Sequence, residues 1–142
     1  MRNDIIQALE EYEIKTMGNK KNIEKAEALL NSNEKVLFVT PSKYIVTANN
    51  LRRKRVKIKK TPSVVILTDQ RILFYDKNML RSSTEVVALD EILSIYSHTN
   101  GMTDGYIALC TMTKSYTILL SCKRDMMQKI VQVFEKTKMN GT

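Results

Sequence analysis

Histidine occurs once in these 142 residues, tryptophan not at all, cysteine and proline twice each, and glycine four times. Each scarcity excludes something. The lone His98 cannot build a histidine metal cluster, and neither Cys-x-x-Cys nor His-Glu-x-x-His spacing occurs. No glycine-rich phosphate loop and no Gly-x-Ser-x-Gly nucleophile turn is present. Long apolar runs are also missing. Nothing approaches the roughly 18 residues of a spanning helix, and the N-terminal MRNDIIQALEEYEIK lacks the apolar centre of a signal peptide. The expected location is therefore cytoplasmic, with peripheral contact at the inner face of a membrane compatible with the charge. No cofactor is implied, and an enzyme is the last of the readings weighed below. Asp90 and Glu91 adjoin in LDEI, but neighbours on a tight turn point apart, so turn formation is their default role. His98, near the end of a strand-like run, reads as a partly exposed polar residue.

The two cysteines are separated by a hairpin pattern. TMTKSYTILL, Thr111 to Leu120, reads as turning at Thr113 and Lys114. That register sets Cys110 opposite Thr117 and leaves Cys122 roughly 17 Å further along, at about 3.4 Å per residue. A disulfide does not span such a distance, so two free thiols in a reducing compartment are expected.

Hydrophobic residues make up 43% of the chain, enough for one buried core. The net charge of +8 is unevenly placed. Met1 to Asn31 holds five Lys/Arg against six Asp/Glu, whereas RRKRVKIKK, Arg52 to Lys60, holds seven of the 23 basic residues. Clustered charge raises the local surface potential where dispersed charge does not.

Ile5, Leu9 and Tyr12 are spaced as on one face of a helix over Asn3 to Met17, with Gly18 as its stop. Asn19 is placed to cap a second helix with Ile23, Ala26, Leu29 and Leu30 on its apolar face. These helices, residues 1–31, are expected as an extension that lies on the remaining domain, residues 32–142, or mediates self-association. From Glu34 onward the pattern becomes short β runs: KVLFVT, KYIVTA, SVVILT, RILFYD, STEVVAL, EILSIYS, GYIALCT and SYTILL. Two of the glycines fall in NGMTDG, Asn100 to Gly105, where a left-handed turn would use them. Lys123 to Met139 returns to helical spacing, with Met127, Ile130, Val131 and Phe134 on one face and Ser121 as the expected cap. Strands closed by one amphipathic helix imply a helix covering an opening in a barrel or sandwich.

The order Leu-x-x-x-Glu-Lys-Val (Leu30 to Val36), LTDQRILFY (Leu67 to Tyr75), ALDEILSI (Ala88 to Ile95), a two-stranded hairpin and a closing helix resembles the bacterial pleckstrin-homology-like domains. The resemblance covers roughly Leu29 to Thr137. It implies a mainly β fold with α: a seven-stranded, two-sheet, partly open barrel plugged by the C-terminal helix. Bacterial members in general have no assigned catalytic residues, and the eukaryotic domains of similar fold often bind phosphoinositides through basic residues near the first strand-to-strand loop. Here the segment before Val64 is longer and more basic than the family pattern. Within LTDQR, Asp69 is expected to bond nearby turn amides and Arg71 to extend along the sheet with its charge in solvent. Asp-Gln suits a tight two-residue hairpin poorly, so a wider corner is expected.

The basic segment is the one feature above background. Val56 and Ile58 alternate with Arg55, Lys57 and Lys59, the period of a strand with one apolar and one cationic face. Edge strands use lysines against aggregation, but one or two suffice for that, and seven cations in nine residues repel unless an anion compensates. The candidate anion-binding residues are therefore Arg52, Arg53, Lys54, Arg55, Lys57, Lys59 and Lys60. An anionic membrane surface leads as partner, at about 1 kcal/mol per Lys/Arg near it. The runner-up is a protein-interaction module whose sheet or N-terminal helices make a homo-oligomer or bind a partner peptide, and an acidic protein is a further partner for the basic segment. Nucleic acid would use the same charges, but no aromatic stacking platform lies between Arg52 and Lys60.

Overall fold

The computed structural model describes residues 1–16, 18–42, 44–48, 55–59, 63–77 and 82–140. Among these residues two short helices, α1 (Asn3–Glu11) and α2 (Lys20–Glu27), precede nine strand segments and a last helix, α3 (Arg124–Asn140). The strands are β1 (Val36–Pro41), β2 (Tyr44–Ala48), β3 (Arg55–Lys59), β4 (Ser63–Thr68), β5 (Arg71–Lys77), β6 (Ser82–Ala88), β7 (Ser94–Asn100), β8 (Asp104–Cys110) and β9 (Lys114–Ser121). They form two antiparallel sheets in the orders β1-β4-β5-β6 and β3-β2-β9-β8-β7.

Nine segments reduce to the seven expected strands once the first hairpin is followed along its length. β1 pairs with β4 and β2 pairs with β3, so this one hairpin crosses from the first sheet into the second. The Ser42 N–H to Ser63 carbonyl bond, 2.9 Å, continues the ladder at the bend. Both halves of the hairpin thus belong to both sheets, which closes one corner of the barrel.

Between the sheets lies the main core, with Phe38, Val65, Leu67, Ile72, Phe74, Ile107, Leu109 and Ile118 from the strands and Met127, Ile130 and Phe134 from α3. Phe38 is its centre: Tyr12 and Phe134 meet it edge-on at 5.3 Å and 5.6 Å. A second core covers the opposite face of the first sheet, where Ile5, Ala8, Ile23 and Ala26 of the helices pack on Val39, Val64, Ile66 and Leu73. That explains why β4 is buried at every position and lacks the in-out alternation of a half-exposed strand. Of the two roles expected for the N-terminal helices, the structure displays packing on the sheet.

Several local expectations are corrected. α1 stops well before Gly18, because Glu13 adopts a left-handed φ of 52° and the Ile14 N–H bonds back to the Leu9 carbonyl at 2.9 Å. This helix-ending motif lets Tyr12 turn into the main core. The β8–β9 turn is Met112–Thr113, so Cys110 faces Ser115, two residues from the expected partner Thr117. Both cysteines are free thiols, as expected. α3 begins at Arg124, with the Lys123 carbonyl accepting from Met127 at 2.9 Å, so the cap position is Lys123 and Ser121 ends β9. In NGMTDG only Gly101 takes a left-handed φ, 78°. Gly105 lies within β8, where a Cβ would come within 2.6 Å of the His98 carbonyl and collide with Met127.

Candidate binding surface

The described part of the basic segment, Arg55 to Lys59, is β3, the return strand of the hairpin at the closed corner. β3 is the end strand of the five-stranded sheet, held by β2 in the register Tyr44–Lys59, Ile45–Ile58, Val46–Lys57, Thr47–Val56 and Ala48–Arg55. Residues opposite each other share a face of a sheet. Arg55, Lys57 and Lys59 therefore fall in the rows through Ala48, buried Val46 and Tyr44, while Val56 and Ile58 fall in the rows through Thr47 and Ile45. Arg52, Arg53, Lys54 and Lys60 lie outside the described residues.

One cation that sequence reasoning missed lies two strands away, on β9. Lys114 opens β9 opposite Ala48, and Ala48 is opposite Arg55, so Lys114 extends the row of basic positions across the sheet. Read as a turn residue, it offered no signal. Its Nζ lies 3.6 Å from Glu85 Oε1 on β6. The neighbouring Tyr116 stacks on Phe74 at 4.9 Å, and burial, reinforced by Glu85, pushes its phenol well above the usual range. Tyr116 is accordingly a neutral wall to this corner.

At the opposite end of the first sheet, the LTDQR corner is structural. It is a tight two-residue connection, Asp69–Gln70, and the wider corner expected is not formed. The Thr68 hydroxyl explains why: it accepts the amides of Gln70 and Arg71, both at 3.1 Å, and donates to Glu34 Oε2 at 2.7 Å. Asp69 bonds to the Lys35 amide at 3.0 Å, outside the turn itself. Arg71 does not reach into solvent as expected. Its Nε and Nη2 grip Glu34 at 2.8 and 3.1 Å, and Nη2 also donates to the Leu29 carbonyl at 2.9 Å. Burial alone would raise the Glu34 carboxyl, but Arg71, Thr68 and the Asn31 amide overcome it and hold it at about 2. The corner thus ties the end of α2 to the sheet and leaves Arg71 committed to an internal partner.

Among the described residues no cluster of His, Cys, Asp and Glu is arranged to hold a metal. His98 is exposed on β7, 5.4 Å from the Tyr106 ring. Burial raises the Cys122 thiol, which lowers its thiolate fraction and its reactivity. Asp90 and Glu91 are exposed on a 3₁₀ turn. Among the described residues no helix is long and apolar enough to cross a membrane.

This architecture has known counterparts. The N-terminal PH domain of Vps36 is similar with 18% identity and a TM-score of 0.51 over 79% of this chain and 84% of that one. The PDZ-RhoGEF DH/PH domains, solved in complex with GTP-γ-S activated RhoA, give 13% identity and a TM-score of 0.51 over 96% of this chain but 40% of the other. A pleckstrin-homology-domain protein from Shewanella loihica PV-4 shows 14% identity and a TM-score of 0.49 over 85% and 90% of the two chains. At such identities the likeness concerns the fold alone. No curated protein matches the chain. The model of the bacterial PH domain family, however, matches residues 30–136, well over half of the sequence, and the chain belongs to that family.

Proposed function

We propose that this chain is a non-enzymatic binding module that docks on an anionic membrane surface through Arg52, Arg53, Lys54, Arg55, Lys57, Lys59 and Lys60. The observation that carries the reading is the concentration of seven cations in nine residues of the sequence, three of which, Arg55, Lys57 and Lys59, fall on β3, the end strand of its sheet among the described residues. An end strand has one side free of a ladder partner, so its charges can approach a flat surface without dismantling the fold. Lys114, two strands away in the same row, extends the basic patch. Contact is peripheral and electrostatic, at about 1 kcal/mol per engaged cation. If half of them engage, affinity rises by roughly two to three orders of magnitude.

The test is co-sedimentation with phosphatidylcholine vesicles and with vesicles containing phosphatidylglycerol, at low and high salt, with duplex DNA as competitor. Expected is salt-sensitive binding to the anionic vesicles only, lost when the seven basic residues are changed to glutamine and retained in the presence of DNA. Binding to neither vesicles nor DNA sinks the docking reading. Competition by DNA would instead favour non-specific nucleic-acid binding, the third reading.

A protein partner is the second reading, favoured by the outer face of the five-stranded sheet, where Tyr96 is 58% and Leu119 41% exposed. Self-association through the N-terminal helices is less favoured, since their apolar faces are already used on the first sheet.

A further inference from the structure

A groove of about 550 Å³ runs between β7 and α3, away from the basic hairpin. Its strand wall is Ser97 and Thr99. The helix wall carries Arg124, Gln128 and Gln132, with Met127 and Val131 between them. No residue of β8 lines it, so it opens on the side of β7 that faces away from the sheet. β7 is the end strand, paired with β8 alone among the described residues. On such a strand alternate residues direct N–H and C=O groups outward, where only water or another backbone can satisfy them.

The lining indicates which occupant fits. Two hydroxyls and two carboxamides beside a narrow apolar strip suit a peptide backbone better than a lipid chain, which would meet four hydrogen-bonding side chains and leave them unpaired. Arg124, the first residue of α3, has no ion-pair partner among the described residues, although Asp125 follows it and Asp104 is on the adjoining strand. α3 runs antiparallel to β7: Met127 abuts Gly105, which pairs with Thr99, while Lys138 Nζ reaches the Leu93 carbonyl at 3.0 Å. The guanidinium therefore marks the Thr99 end of the groove.

We propose that the β7 edge and α3 form a docking groove for an extended acidic peptide, which adds to the five-stranded sheet as a further strand. Alternate peptide side chains face Met127 and Val131, the intervening ones lie beside exposed Tyr96 and His98, and a carboxylate meets Arg124 near Thr99. About five residues, some 17 Å of strand, fill the site.

A random-peptide phage library selected on the intact chain supplies the probe. The enriched peptides are synthesised and their affinity is measured by fluorescence anisotropy. Expected are sequences with an acidic residue and alternating apolar positions, which Arg124→Glu weakens by about tenfold or more. Gln128→Trp, which fills the groove, weakens them likewise while the circular dichroism spectrum is unchanged. Hydrogen exchange at Ser94 to Asn100 slows on binding. The variant with its seven hairpin cations neutralised binds these peptides like the parent, so failure here and failure of vesicle docking are separately visible. No enriched sequence, or peptides indifferent to both groove substitutions, overturns the proposal.

Discussion

A carboxylate as buried as that of Glu34 is tolerated only because Arg71, Thr68 and the Asn31 amide surround it. Its folded value of about 2 lies below the ordinary 4.5, so the folded state favours the charged form. The resulting stability is fully present above about pH 5 and is lost as pH falls toward about 2, amounting to about 3 kcal/mol. Asp4, also held low, acts in the same direction: burial opposes its charge, but the Val36 amide and Arg2 outweigh it. Urea unfolding across this range should show the loss, and Glu34→Gln should cost about 3 kcal/mol at neutral pH while flattening the profile. Two backbone positions allow opposite tests. Glu13→Gly should raise stability by about 0.5–1 kcal/mol, since glycine adopts a left-handed φ without the Cβ penalty. Gly105→Ala should lower it by about 1–3 kcal/mol, because the His98 carbonyl cannot move aside as a side chain can. Urea midpoints at constant slope would check both.

The secondary elements were largely legible, and their ends were not. Short β-like runs announced eight of the strands, the alternation of Val56 and Ile58 announced β3, and the period of Met127, Ile130 and Phe134 announced α3. The β8–β9 register was read two residues off, which kept every side chain on its face but moved the opposing partners. Thr113 and Lys114 are as polar as Met112 is exposed, so local chemistry did not single out the turn. α1 illustrates the same limit, since its end depends on Tyr12 reaching Phe38 in a strand far along the chain. Removing Met1 to Tyr12 should therefore uncover the part of the second core that lies on β1, Val39 included, and lower stability, with each large aliphatic group uncovered losing about 1.5–3 kcal/mol of burial. Increased binding of a hydrophobic dye together with a lower urea midpoint would confirm it; an unchanged midpoint would contradict the packing.

For the whole molecule, charge and apolar cover are separated. The helices shield the outer face of the first sheet, leaving the outer face of the second uncovered, with the basic arm at one end of that sheet and the β7 groove at the other. Electrostatic docking through the arm should weaken steeply with salt, because exposed charges are screened over about 8 Å at physiological ionic strength. Vesicle binding measured against salt checks this, and insensitivity would count against the proposed arrangement. Peptide binding in the groove, resting on backbone hydrogen bonds, should depend on salt much less.

What the sequence by itself determined was the kind of each segment, the order of the family pattern and the concentration of charge at Arg52 to Lys60. Those properties reside in neighbouring residues: periodicity expresses which face is apolar, and a run of like charges needs no partner to be recognised. Only the tertiary structure decided that Arg71 is spent on Glu34, that Lys114 stands in the row of Arg55, and that Ser97 and Gln128 face one another across a groove. Each depends on segments distant in sequence being brought alongside by strand register and core packing, and no local pattern encodes which distant segment that is.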